Sequence, residues 1–225
     1  METLVAEAAG GRNTCRVVIC PLRVVVTGSE STGKTTLAER LAEHYGTICV
    51  PEFSRAYAQS AGRELTADDV EPIARGQLAN ERRAELDANR LLVLDTDVLS
   101  TVVYGTHYYG DAPAWISETL REHPADLYLL CDIDVPWVAD PARDRGHMRP
   151  EMHALFVDAV RGTGVSFVLI RGGWEERFRV AVDAIDALLA RAGIDADGAA
   201  PLPPAPSPHS AGEGVNFVRS GRGDG

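Results

Sequence analysis

The 225-residue sequence has no apolar run approaching the roughly 18–20 residues that a membrane-spanning helix needs. It has no basic leader: Met1 to Gly10 carries Glu2 and Glu7 where a secretory signal begins with positive charge. It has no surplus of positive charge. The 22 basic residues against 33 acidic ones give a formal net charge of −11, which argues against DNA or an anionic membrane as the main partner. Cysteine is scarce. Cys15, Cys20, Cys49 and Cys131 match no common zinc spacing, and Cys49 and Cys131 lie in apolar runs, where a free thiol serves as a small buried hydrophobe. Free thiols without a disulfide framework suit a reducing compartment, so the expected location is the cytoplasm.

What remains divides into three parts. Residues 1–20 read as a flexible N-terminal arm. Residues 196–225, rich in Pro, Ala and Gly, contain too little apolar side chain to offset ordering entropy and read as a disordered tail. Between them, residues 21–195 alternate short apolar runs with helical patterns, the signature of a parallel sheet with helical crossovers. The runs predict strands at Leu22–Thr27, Thr47–Pro51, Leu91–Asp95, Asp126–Cys131 and Val165–Arg171. Helices are expected at Thr35–Tyr45, Thr66–Asn89 with a capping box at Thr66 and Asp69, 113–122, Glu151–Val160 and Glu175–Arg191. The fold class is therefore α/β, three layers around a five-stranded parallel sheet.

One motif carries chemistry directly. Gly28-Ser29-Glu30-Ser31-Thr32-Gly33-Lys34-Thr35 fits G-x-x-x-x-G-K-[ST] at every fixed position, after an apolar strand and before an amphipathic helix. Such a loop turns its N–H groups inward as an anion nest, and the helix adds the positive end of its dipole. Lys34 supplies a mobile charge to the β- and γ-oxygens, Thr35 a hydroxyl for Mg²⁺, and Thr36 a contact for the α-phosphate. The expected ligands are ATP and Mg²⁺.

Three further features speak to the reaction. In a parallel sheet functional groups gather at the carboxyl ends of strands. At the end of the second strand, Glu52 offers a base or an anchor for a substrate hydroxyl, and Arg55 a cation for the transferred phosphoryl group. At the end of the third, Asp95 and Asp97 offer metal-shell or ribose-binding carboxylates. The two share a direction if the strand continues and part company if one enters the loop. The stretch Asp140–Pro150 packs Arg143, Arg145 and Arg149 into seven residues and reads as an arginine-rich lid that closes over polyphosphate and excludes water. Trp137, and Tyr104 among the tyrosines after the third strand, offer faces for a flat ring or simply fill the core.

These pieces together resemble the ribosylnicotinamide kinase domain of NadR-type proteins. The likeness rests on the loop with its Glu30-Ser31-Thr32 and on Pro51-Glu52-Phe53-Ser54-Arg55. It also rests on Ile73-Ala74-Arg75-Gly76-Gln77, Leu94-Asp95-Thr96-Asp97, Leu127-Tyr128-Leu129-Leu130 followed by Asp134-Val135-Pro136-Trp137, and Gly172-Gly173-Trp174-Glu175-Glu176-Arg177. It spans about residues 22–190. The resemblance implies the fold of nucleoside and nucleoside-monophosphate kinases. It implies ATP-dependent phosphorylation of the 5′-hydroxyl of nicotinamide riboside to give NMN, with Trp137 stacked on the cationic ring. Family members of the multifunctional kind also carry an N-terminal adenylyltransferase domain, and some carry a DNA-binding helix-turn-helix. The 20 residues before the first strand leave no room for either, so neither activity is expected. A kinase for another nucleoside and a regulatory ATPase without an acceptor are the competing readings. A homo-oligomer is compatible with all of them.

Overall fold

In the computed structural model, which describes residues 20–136 and 148–194, five parallel strands form one sheet in the order β2-β3-β1-β4-β5. They are β1 (Leu22–Thr27), β2 (Ile48–Val50), β3 (Leu91–Asp95), β4 (Leu127–Cys131) and β5 (Phe167–Ile170). Among the described residues seven α-helices connect and flank them: α1 (Lys34–His44), α2 (Phe53–Ala61), α3 (Val70–Asp87), α4 (Val98–Tyr109), α5 (Ala114–Glu122), α6 (Arg149–Thr163) and α7 (Trp174–Arg191). Among the described residues no helix is long and apolar enough to cross a membrane. The expected tail, all of the expected arm except Cys20, and the lid's centre lie outside the described residues.

Side chains alternate between the two faces of each strand, and both faces are covered. On one face Val24, Val26, Val93 and Leu129 pack with Leu37 and Leu41 of α1 and Ile185 of α7. On the other, Val25, Leu92, Leu94 and Leu130 pack with Leu99 and Val103 of α4 and Phe156 and Val160 of α6. A satellite cluster of Val70, Ala74, Val98 and Ile116 joins α3, α4 and α5. This is the three-layer α/β arrangement expected.

β1 and β3 have the bounds the sequence predicts, while β2 and β5 are shorter. The long helical stretch divides into a single 3₁₀ turn at Ala67–Asp69 and then α3, with the Thr66–Asp69 capping box formed. Pro72 falls in the first turn of α3, where its missing N–H would have no intrahelical partner anyway. Two helices were not expected. The start of α4, Val98-Leu99-Ser100-Thr101-Val102-Val103, is rich in β-branched residues and reads locally as strand. Burial and the Asp97 cap, whose carboxylate accepts the Leu99 N–H at 3.1 Å, override that preference. The other is α2, nine residues long with none buried, too short for the spacing of Phe53, Ala56 and Tyr57 to stand out in the sequence.

A knot of hydrogen bonds on the buried Asp69 carboxylate fixes the entry to α3. Asp69 accepts from Arg63 at 2.7 and 2.8 Å, from the Thr66 N–H at 2.8 Å and from the Tyr57 hydroxyl at 2.9 Å. The Arg63 guanidinium, followed by the Thr66 N–H, holds this carboxyl well below the usual carboxylate range. A carboxyl depressed in the folded state stabilises it above the unfolded-state pKa of about 3.9, and that stabilisation is lost as pH falls. Asp69→Asn should therefore melt below the wild-type chain at neutral pH, with the gap narrowing toward about pH 3. A gap in melting temperature that stays constant over that range would contradict this role.

Candidate active site

The register of the sheet builds the site. β1 and β3 pair with Val26 opposite Asp95, so the loop leaving β1 lies beside the end of β3. Thr35, in the first turn of α1, donates its hydroxyl to Asp95 Oδ2 at 2.7 Å. The other oxygen, Asp95 Oδ1, is buried with no hydrogen-bond partner among the described residues. Burial raises the pKa of Asp95, the neighbouring charge of Glu52 raises it further, and the Thr35 hydroxyl and Lys34 oppose both. A hydroxyl beside a carboxylate with one oxygen unsatisfied is a hard-oxygen pair suited to Mg²⁺. No cluster of three or more His, Cys, Asp or Glu side chains able to hold a metal occurs among the described residues. Phosphate and water oxygens commonly complete the shell of a Mg²⁺ ion held by so few side chains.

The loop is held in shape by its own atoms and by distant ones. Thr32 Oγ1 and Lys34 Nζ each donate to the Ser29 carbonyl at 2.8 Å. Gly33 has φ +80°, and a Cβ there would stand 2.5 Å from the ring of Trp174, so both the backbone and the overlying indole require glycine. Arg177, 1% exposed, donates to the carbonyls of Thr32 at 3.1 Å, Gly172 at 3.0 Å and Asp132 at 3.2 Å, and pairs with the Asp134 carboxylate. Asp134 also accepts the Gly172 N–H at 2.6 Å. One guanidinium thus ties the phosphate loop to the ends of β4 and β5. Arg149, buried at the start of α6, donates to the Val135 carbonyl at 2.8 Å and the Ser31 carbonyl at 3.0 Å. Burial and the neighbouring positive charge of Arg177 lower its pKa.

The sequence-derived candidates fare differently. Ser29 and Thr32 are buried in the loop, Glu30 and Ser31 are half-buried, and Thr36 is exposed in α1. Glu52 immediately precedes α2. Its carboxylate accepts from Ser54 Oγ at 2.8 Å and lies 3.7 Å from Arg55 Nε, and both Glu52 and Arg55 lie within electrostatic range of Asp95. Asp95 and Asp97 diverge, because the strand ends at Asp95 and Thr96, with φ +67°, turns the chain. Asp97 faces inward, where it caps α4 and accepts the Tyr128 hydroxyl at 2.7 Å, and burial pushes its pKa up to about 7. Tyr104 lies two turns into α4 with its ring edge-on to Phe156 at 5.4 Å, in the core. Trp137, Arg143 and Arg145 lie outside the described residues. Sequence reasoning had assigned no role to Arg177 or Trp174. Nothing in their local sequence indicates that they reach a loop more than 140 positions earlier.

Comparison with known proteins agrees with this geometry. A family model described as an AAA domain matches residues 23–177. The trifunctional NAD biosynthesis/regulator protein NadR of Escherichia coli K12 is 30% identical over 169 residues, which cover 72% of this chain and 41% of that protein. Its Salmonella typhimurium counterpart is 28% identical over 177 residues, 76% of this chain and 43% of that one. The chain thus spans about two fifths of the length of the curated relatives it matches. Among solved structures, a NadR protein in complex with NR superposes with a TM-score of 0.66 at 27% identity, covering 77% of this chain and 53% of that one. Thymidylate kinase from Ehrlichia chaffeensis, at a TM-score of 0.54 and 13% identity, shares the fold over 75% of this chain and 98% of its own. With the family model matched over more than half of its length and with a P-loop kinase fold around the Thr35–Asp95 pair, the chain belongs to the AAA-domain family.

Proposed function

We propose that this chain is an ATP-dependent kinase that transfers the γ-phosphoryl group to the 5′-hydroxyl of nicotinamide riboside, giving NMN and ADP, a step of NAD salvage. The observation that carries this reading is the Thr35–Asp95 hydrogen bond, with Glu52 and Arg55 within electrostatic range of the same carboxylate. It is supported by the likeness to NadR proteins crystallised with NR and with NAD and AMP-PNP.

The residues divide the work. Gly28 to Gly33 cradle the β-phosphate with backbone N–H groups, and Thr36 lies toward the α-phosphate. Lys34 exchanges the Ser29 carbonyl for the β- and γ-oxygens, neutralising charge as it moves outward. Thr35 and Asp95 would hold Mg²⁺, which when bound would offset phosphate charge. Glu52 orients the 5′-hydroxyl and accepts its proton as the oxygen attacks the γ-phosphorus and the bond to the β,γ-bridging oxygen breaks. Arg55 faces the phosphoryl group in transit. Arg149 lies at the loop's flank, and this reading gives Arg143 and Arg145 phosphate-binding roles and Trp137 a stacking role toward the cationic ring. Asp97 and Tyr104 support the site from the protein interior, and the cytoplasm is the setting this reading favours.

Purified protein with ATP, Mg²⁺ and a panel of nucleosides should convert nicotinamide riboside to NMN in preference to the others, with product identified by mass. Turnover of a different nucleoside alone would refute the acceptor while sparing the kinase. Lys34→Ala should lower kcat/KM by roughly 10²-fold or more, the scale of losing one preorganised charge-stabilising donor, with an unchanged melting temperature. An active Lys34→Ala protein would overturn the loop's assigned role.

A further inference from the structure

We propose that Gly76 and Gln77 of α3 are positioning residues that set the placement of Glu52 relative to Asp95. The inference rests on the proposed site, whose two carboxylates these are, but on separate observations. α3 contributes no side chain to that site. Yet Gln77, 3% exposed, touches the neighbours of both carboxylates. Its Oε1 accepts the N–H of Phe53, the residue after Glu52, at 3.0 Å. Its Nε2 donates to the carbonyl of Thr96, the residue after Asp95, at 3.3 Å, and to Glu81 Oε1 at 2.9 Å.

Chemistry fixes which way this amide points. A carbonyl can only accept and a backbone N–H can only donate, so the NH₂ end faces the Thr96 carbonyl, with Glu81 beside it, and the oxygen faces the Phe53 N–H. Glu81 is itself held by Arg23 of β1 at 2.6 Å, and Arg23 also pairs with Glu85 at 2.5 Å. A buried polar chain therefore runs from the start of α2 through Gln77 and Glu81 to the central strand of the sheet. Gln77 and both oxygens of Glu81 are satisfied within it, while Arg23 keeps one buried nitrogen, Nε, without a partner, so the ordering acts at Gln77 and Glu81.

Gly76 completes the docking. A Cβ at this position would stand 2.1 Å from the Phe53 ring, so the ring lies directly against the α3 backbone. Glycine inside a helix is less favourable than alanine, and the close approach of Phe53 accounts for its presence. The contact matters because α2 buries no residue completely and has no core packing to hold it in place. Its first turn is held by the ring on Gly76 and the amide on Gln77, with Tyr57 bonded to Asp69 one turn further on. On the other side, the carbonyl held by Gln77 belongs to Thr96. Thr96 and Ser31 are the two non-glycine residues with positive φ among those described. The phosphate loop is held by different groups, Arg177 and Arg149. The positioning of Glu52 and the binding of the triphosphate are thus separable.

The test measures kcat/KM for the accepted nucleoside and, by calorimetry, the Kd for a non-hydrolysable ATP analogue without Mg²⁺, so that the affinity reads the phosphate loop and not a cation at Asp95. Gly76→Ala and Gln77→Leu should each lower kcat/KM by roughly 10- to 100-fold, the scale of a misplacement of about 1 Å, while Kd for the analogue stays within about twofold. Phe53→Leu added to Gly76→Ala should recover part of the loss, because the shorter side chain clears the new methyl group. Gln77→Asn, which keeps the amide and shortens its reach, replaces Gln77→Leu if the latter fails to fold. Analogue affinity falling in step with turnover, unchanged turnover, or a double variant no better than Gly76→Ala would each overturn the proposal. Wild-type turnover across the nucleoside panel tests the function. The variant-to-wild-type ratio, on whichever nucleoside is used, tests the positioning, so the two fail separately.

Discussion

The pairing of β1 with β3 is the constraint on which the rest depends. These strands are distant in sequence, with the whole of β2, α2 and α3 between them. Their parallel alignment brings the phosphate loop and Asp95 to the same edge, in a register that places Asp95 opposite Val26. The Thr35–Asp95 hydrogen bond follows from that register, since α1 begins within a few residues of the end of β1. A slip of one residue would turn Asp95 to the other face of the sheet and break the pair. The driving force is apolar: Val24, Val25, Val26 and Leu91 to Leu94 are fully buried, so the site is placed by the core beneath it.

Polar contacts then refine what the core has placed. Arg177, Arg149 and Arg23 all have their guanidinium groups turned into the protein, where an unpaired charge would be expensive. Two of them direct much of their hydrogen bonding at backbone carbonyls of loops at the carboxyl edge of the sheet. Buried ion pairs of this kind are weak evidence for stability, because desolvation offsets much of the attraction. Here their effect is conformational. They immobilise irregular backbone at Ser31, Thr32 and Gly172 that no helix or strand would order. Such preorganisation is what phosphoryl transfer requires, since its catalysis is mostly positioning and charge neutralisation.

The sequence was most informative where function follows from adjacent residues. The phosphate loop is a contiguous pattern whose flanking strand and helix are visible in the same 25 residues, and β1 and β3 ended where their apolar runs end. It was least informative where a role depends on a partner far along the chain. Nothing around Arg177 indicates that its guanidinium reaches Thr32, and nothing around Gln77 indicates that it bridges Phe53 and Thr96. Asp97 illustrates the intermediate case. The sequence put it beside Asp95 and left its direction open. The positive φ of Thr96 and the Tyr128 hydroxyl turned it inward. α4 was missed because its β-branched opening favours strand locally and only the Asp97 cap and burial make it helical.

The central claim is that the Thr35–Asp95 pair and Glu52 face one another across a two-substrate site. A crystal structure of the chain with Mg²⁺, a non-hydrolysable ATP analogue and nicotinamide riboside tests it most directly. The account predicts a triphosphate along residues 28–35, the cation bound at Thr35 and Asp95, and the ribose 5′-hydroxyl within hydrogen-bonding reach of Glu52 and in line with the γ-phosphorus. A nucleoside bound away from the carboxyl edge of the sheet, or a cation that leaves Asp95 untouched, would contradict it.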